Sequence, residues 1–189
     1  MKKLVYALVL SLPLGGLNAL ELDKESSVMN FVTVKNDTVA ELMSFTSLTG
    51  SIDEKSGKAV LNIDLSSVAS GIDIRNERMR EHLFEIDKFA SAVYSTELDM
   101  KALNELAIGE QKSVALKGEL ELHGKSAEVK FDVTVTKRKD GAFHAVTNSP
   151  AFVSANSFEL APGIAKLRSL AGLASIDLMV PVTFSVVFK

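Results

Sequence analysis

Apolar and polar side chains alternate along most of the chain. In 59–65, Ala59, Leu61, Ile63 and Leu65 fall on one face while Asn62 and Asp64 fall on the other. In 114–122, Val114, Leu116, Leu120 and Leu122 oppose Lys117, Glu119 and Glu121; in 129–135, Val129, Phe131, Val133 and Val135 alternate with Lys130, Asp132 and Thr134. The C-terminus repeats the pattern through Leu178, Val180, Val182, Phe184, Val186 and Phe188. A period of two is the period of a β-strand, and one apolar face with one wet face points to an antiparallel sheet. Read this way, the chain predicts eight strands, over 27–35, 39–52, 58–66, 92–100, 111–123, 127–138, 143–158 and 174–188. Gly124-Lys125 sits between two alternating runs as a hairpin turn, because glycine tolerates positive φ.

Two segments break the alternation. Arg75 to Phe84 is the first; within it and just beyond, Met79, Leu83 and Ile86 recur at i, i+4 and i+7, the spacing of a short amphipathic helix. Pro162 to Leu173 is the second break, with Pro162 suited to a first helical turn. The fold class is therefore all-β with one or two short helical insertions. Eight long antiparallel strands can close into a barrel and so remove exposed edges. A barrel of that size has room to pack its own side chains or to hold one slim ligand. Periodicity alone does not separate a barrel from a sandwich.

The first residues have a different character. Met1-Lys2-Lys3 is basic, Leu4 to Leu12 is apolar apart from Ser11, Pro13 to Gly16 breaks a helix, and Ala19 offers a small residue for cleavage. This is the layout of a secretory signal peptide over 1–19, ahead of one domain over 20–189. The apolar run is too short to span ~30 Å of hydrocarbon as a stable membrane anchor. The expected destination is the periplasm.

Composition narrows the chemistry. The 189 residues are 47% hydrophobic, and 21 basic against 24 acidic side chains give a formal charge of −3, a poor basis for nucleic-acid binding. With no cysteine there is no disulfide, thiolate metal site or cysteine nucleophile. His82, His123 and His144 stand in no metal-binding spacing and read as surface or lightly packed residues. No nucleophile elbow or phosphate loop occurs, and no cofactor is expected. Arg75, Arg78 and Arg80 form a small basic cluster, readable as an anion clamp or as a solvated face balanced by Glu77, Glu81 and Glu85. A ligand pocket needs apolar walls and a few polar groups at one end. Phe31, Phe45, Phe84, Phe89 and Tyr94 are candidates for the walls, and Lys35 and Arg75 for the polar end.

These segments resemble the YceI-like family of bacterial periplasmic proteins. The likeness runs through Leu22-Asp23, Ser27 to Phe31, Gly50-Ser51-Ile52-Asp53, Ile63 to Val68, Arg75-Asn76, Phe84, Lys88 to Tyr94 and Gly118 to Gly124. Departures from the family pattern fall at Lys35, Asn76, Arg78, Met79 and Ala90. The resemblance implies an eight-stranded antiparallel lipocalin-like barrel with an elongated apolar interior that binds a polyisoprenoid or other long-chain, fatty-acid-like amphiphile. The leading expectation is a periplasmic carrier of such a lipid. The alternatives are a structural or stress-related interaction protein with a packed, ligand-free barrel, and an enzyme drawing a base from His123, His82 or Arg75. A homodimer is compatible with the chain, but no feature demands one.

Overall fold

The structure is a computed structural model and describes residues 19–189. The leader expected over 1–19 lies outside the described residues, apart from Ala19. Among the described residues the strands are β1 (Ala19–Glu21), β2 (Val28–Lys35), β3 (Val39–Phe45), β4 (Leu48–Asp53), β5 (Lys58–Asp64), β6 (Val68–Ala69), β7 (Ser91–Glu97), β8 (Gln111–Leu122), β9 (Lys125–Lys137), β10 (Phe143–Thr147), β11 (Ala151–Ser154) and β12 (Met179–Phe188). The helices are α1 (Asp73–Arg78), α2 (Met100–Asn104) and α3 (Ala161–Ala171). No helix among the described residues is long and apolar enough to cross a membrane.

All strands join one antiparallel, curled sheet in the order β1-β4-β5-β7-β8-β9-β10-β12-β2-β3-β6, with β11 also on β12. The expected count of eight strands is corrected to twelve. Part of the excess comes from breaks within the long alternating runs. The run over 39–52 turns a corner at Thr46-Ser47, so β3 pairs with β2 while β4 pairs with β5. One segment thus joins two nearly opposite ends of the strand order, and this is how the sheet curls round an interior. The corner's backbone is held from outside the ladder. Thr46 N–H donates to the Ser67 carbonyl at 3.3 Å and Ser47 N–H to Ser67 Oγ at 3.0 Å.

The run over 143–158 breaks at Asn148 to Pro150, where proline has no N–H to give a ladder. Its end, Ala155–Phe158, is a 3-10 turn. The last strand begins at Met179 rather than at 174. The strand expected over 92–100 ends at Glu97, because Asp99 caps α2 by accepting from the Ala102 N–H at 3.0 Å. The short strands β1 and β6 carry too few residues to show any period.

Both helical breaks are present. The first is α1 followed by a wide π turn over Met79–Leu83, closed by Phe84 N–H donating to the Met79 carbonyl at 2.9 Å. The second is α3, with Pro162 in its first turn and Gly172 ending it at φ 63°. Gly163 lets α3 lie against the π turn: a Cβ there would stand 2.6 Å from the His82 carbonyl oxygen and 2.9 Å from Leu83 Cα. The two helical pieces therefore pack as one cap.

Candidate functional site

Inward-facing side chains of the curled sheet do not fill the space they enclose. Between the sheet and the cap lies a cavity of about 430 Å³. Its sheet walls include Met29, Phe31, Met43, Phe45, Ile63, Leu120, Val182 and Phe184. The cap contributes Met79, Leu83 and Phe84, and α3 presents Ile164, Leu167 and Ala171 just after Leu160. The α3 spacing is that of one helix face, which explains why this short helix carries an apolar stripe. Phe31 stacks on Phe45 at 5.2 Å, and Phe45 meets Phe84 at 5.8 Å, so three of the expected wall residues form one aromatic side of the cavity.

Polar lining is confined to a few groups: Thr33, Lys35, Glu41, Arg75, Arg78 and Asp177. They lie near the far end of β2, the start of β3, the cap helix α1 and the loop before β12. Ile72 and Ile74 line the same cavity yet are 48% and 52% exposed, which places its mouth at the start of α1.

Lys35 and Arg75, the expected polar end, meet there through a residue the sequence did not single out. Glu41 Oε1 is 3.0 Å from Lys35 Nζ, and Glu41 Oε2 is 2.7 Å from an Arg75 guanidinium nitrogen. The other terminal nitrogen of Arg75 donates to the Ser70 carbonyl at 2.6 Å, while its Nε is buried without a hydrogen-bond partner. Burial pushes the Glu41 carboxyl up, but hydrogen bonds from Lys35 and Arg75 and their charges outweigh it and hold the group below its ordinary value. What identifies Glu41 is the fold: it lies in β3, three residues beyond the β2–β3 turn and opposite Thr33. The three-arginine cluster itself does not converge. Arg78 donates to the Leu170 carbonyl and Arg80 to the Ser66 carbonyl, each at 3.3 Å.

Phe89 is a correction. It does not line the cavity but lies outside, its ring 4.5 Å from that of His123 and against Gly124. The run Lys88 to Ala90 is still part of the loop after the cap, and β7 begins only at Ser91, so Phe89 packs on the β8–β9 hairpin instead of facing inward. His123 has its ring nitrogens 2.9 Å from Glu85 Oε2 and 3.2 Å from the Phe158 carbonyl. It ties the hairpin to the end of the cap and to the turn before α3. The Glu85 carboxyl is held below its ordinary value by Lys88 first and His123 second. His144 meets Ser185 Oγ at 2.8 Å. None of the three histidines lines the cavity, and no cluster of metal-ligating side chains occurs among the described residues.

Tyr94 lines the cavity on β7. Its ring meets Phe131 edge-on at 5.3 Å, Phe131 meets Phe184 at 5.0 Å, and the Tyr94 hydroxyl donates to the Val129 carbonyl at 3.1 Å. Burial pushes the phenol up to about 12, so it stays a neutral donor. Leu61, Tyr94 and Phe184 border both this cavity and a second apolar one of about 70 Å³ beyond them.

Comparison with known proteins places this architecture. The model of the YceI-like domain matches residues 20–188. A polyisoprenoid binding domain from Saccharophagus degradans, implicated in plant cell wall breakdown, is 36% identical; the match covers 92% of this chain and 99% of that one, with a TM-score of 0.88. BcnA of Burkholderia cenocepacia is 19% identical over 88% of this chain and 98% of its own, at a TM-score of 0.61, and shares the fold. No curated protein sequence matches the chain. With the match running from β1 to the last strand, the chain belongs to the YceI-like domain family.

Proposed function

We propose that this protein binds and carries a polyisoprenoid or another long-chain amphiphilic lipid, with the tail in the cavity and the polar end at the mouth. The observation that carries this reading is the 430 Å³ cavity, apolar over nearly all its wall and polar at one end. Phe31, Phe45, Phe84 and Tyr94 are the wall residues assigned to the tail, and Lys35 and Arg75 the groups assigned to the head. The Saccharophagus degradans relative, described as a polyisoprenoid binding domain, supports the ligand class. Each buried methylene favours binding by about 0.8 kcal/mol, offset in part by the lost freedom of the chain. The role needs no catalytic group. The signal-like N-terminal segment supports a periplasmic carrier.

A packed, ligand-free interior is the competing account, and the cavity's volume speaks against it. Organic extraction of the purified protein followed by mass spectrometry tests the proposal. The expected result is one long apolar chain per protein molecule. Protein that yields no lipid and takes up none when offered would overturn it.

A further inference from the structure

We propose that Tyr94 is the stop that sets how long a tail the cavity accepts. This rests on the lipid-carrying reading above. The inner end of the main cavity is a partition rather than solid core, since a second apolar space of about 70 Å³ lies behind it. Leu61, Tyr94 and Phe184 are the three side chains that border both spaces.

Tyr94 is held in place on both its ring and its hydroxyl. Phe131 stands perpendicular to its ring, and its hydroxyl is tied to the Val129 carbonyl. Gly118 on the neighbouring strand leaves room for the ring; a Cβ there would overlap Tyr94 Cζ and lie 2.5 Å from Tyr94 Oη. A tail entering at Ile72 and Ile74 runs along the Phe31–Phe45–Phe84 side and ends against this ring. The cavity, about 430 Å³, is finite in depth and so holds a tail of limited length. A longer tail must leave its excess at the mouth or displace Tyr94. Without the ring the two spaces join, and the tail can run several carbons further.

The test is displacement of a fluorescent single-chain fatty acid by saturated fatty acids of increasing length, from about ten to about twenty-two carbons. For the natural sequence, affinity should rise about fourfold per methylene at first and then level off near the length the cavity holds. In Tyr94→Ala the levelling point should move several carbons longer, with the longest acids gaining at least about tenfold over the natural protein. Tyr94→Phe keeps the ring and should keep the original profile. Leu61→Ala opens the same partition from the adjacent strand β5, where Leu61 is paired with Tyr94, and serves if Tyr94→Ala does not fold. An unchanged levelling point in the opened variants, or a natural protein whose affinity rises without levelling, would overturn the stop while leaving the carrier reading intact. A natural protein that binds none of the acids at any length, and no prenyl alcohol either, would overturn both.

Discussion

Glu41 holds Arg75 at 2.7 Å across the mouth of the cavity, joining β3 to the first turn of the cap. The same carboxylate holds Lys35 at 3.0 Å, so one anion is shared between two cations at the entrance and cancels half of their charge. A head group arriving there meets a partly neutralised site rather than a bare cationic clamp. Arg78, on the next turn, adds a further positive charge to the rim.

Replacing Glu41 with Gln should therefore leave Lys35 and Arg75 without the carboxylate that bridges them. The pair is about a quarter exposed, so solvent weakens the effect, and a loss of about 1–2 kcal/mol at neutral pH is expected from urea unfolding. The pH dependence has a definite sign. The folded carboxyl lies below its ordinary value of 4.5, so its contribution is full above that value and is lost as pH falls through the depressed one. Unfolding curves between neutral and acid pH should show this loss in the natural protein and a flatter response in Glu41→Gln.

The buried phenol of Tyr94 works in the opposite direction. Its folded value of about 12 lies above the ordinary 10.0, so the folded state keeps a proton that the unfolded chain gives up. Its contribution is full below pH 10 and declines as pH rises towards 12, by up to about 2–3 kcal/mol. Tyr94→Phe should remove that part of the alkaline decline. A decline identical in both proteins would show that the phenol is not held as described.

Adding one methyl at Gly118 tests the packing behind the partition. A Cβ there collides with the Tyr94 ring and lies 2.5 Å from the Ser95 carbonyl oxygen, which is backbone and cannot swing away. Gly118→Ala should cost more than about 2 kcal/mol, above the usual range for a surface change. Denaturant unfolding reads this directly.

The cap offers a matching test at Gly163. A side chain there must push α3 off the π turn, since the His82 carbonyl oxygen would stand 2.6 Å from its Cβ. Gly163→Val should lower stability by about 1–3 kcal/mol and weaken lipid uptake together, because Ile164 and Leu167 on α3 line the cavity. A variant that loses stability but takes up lipid normally would show that the cap is not part of the site.

Much of the architecture was legible because burial on one face writes a period of two into the chain. The long strands β5, β8 and β9 and the hairpin at Gly124 follow from that alone. Corners do not carry such a signal. Thr46-Ser47 looks like continuous strand, and what turns it is Ser67, twenty residues away, supplying the missing hydrogen-bond partners. The site followed the same division. Phe31, Phe45, Phe84 and Tyr94 lie at inward positions or at the cap's end and meet in space, but Phe89 could not be separated from them by composition, since its direction depends on where β7 begins. Glu41 was missed because an isolated acid in a strand has no motif; only the fold brings Arg75 to it from 34 residues away.

The claim that a lipid tail occupies the cavity can be read residue by residue from methionine methyl groups. Met29, Met43 and Met79 line the cavity, whereas Met100 and Met179 do not. Protein carrying ¹³C-labelled methionine methyls, freed of lipid and titrated with a long-chain fatty acid or prenyl alcohol, should show saturable shifts of Met29, Met43 and Met79 and little change at Met100 and Met179. Shifts confined to Met100 and Met179, or no saturable shift at any of the five, would contradict the account.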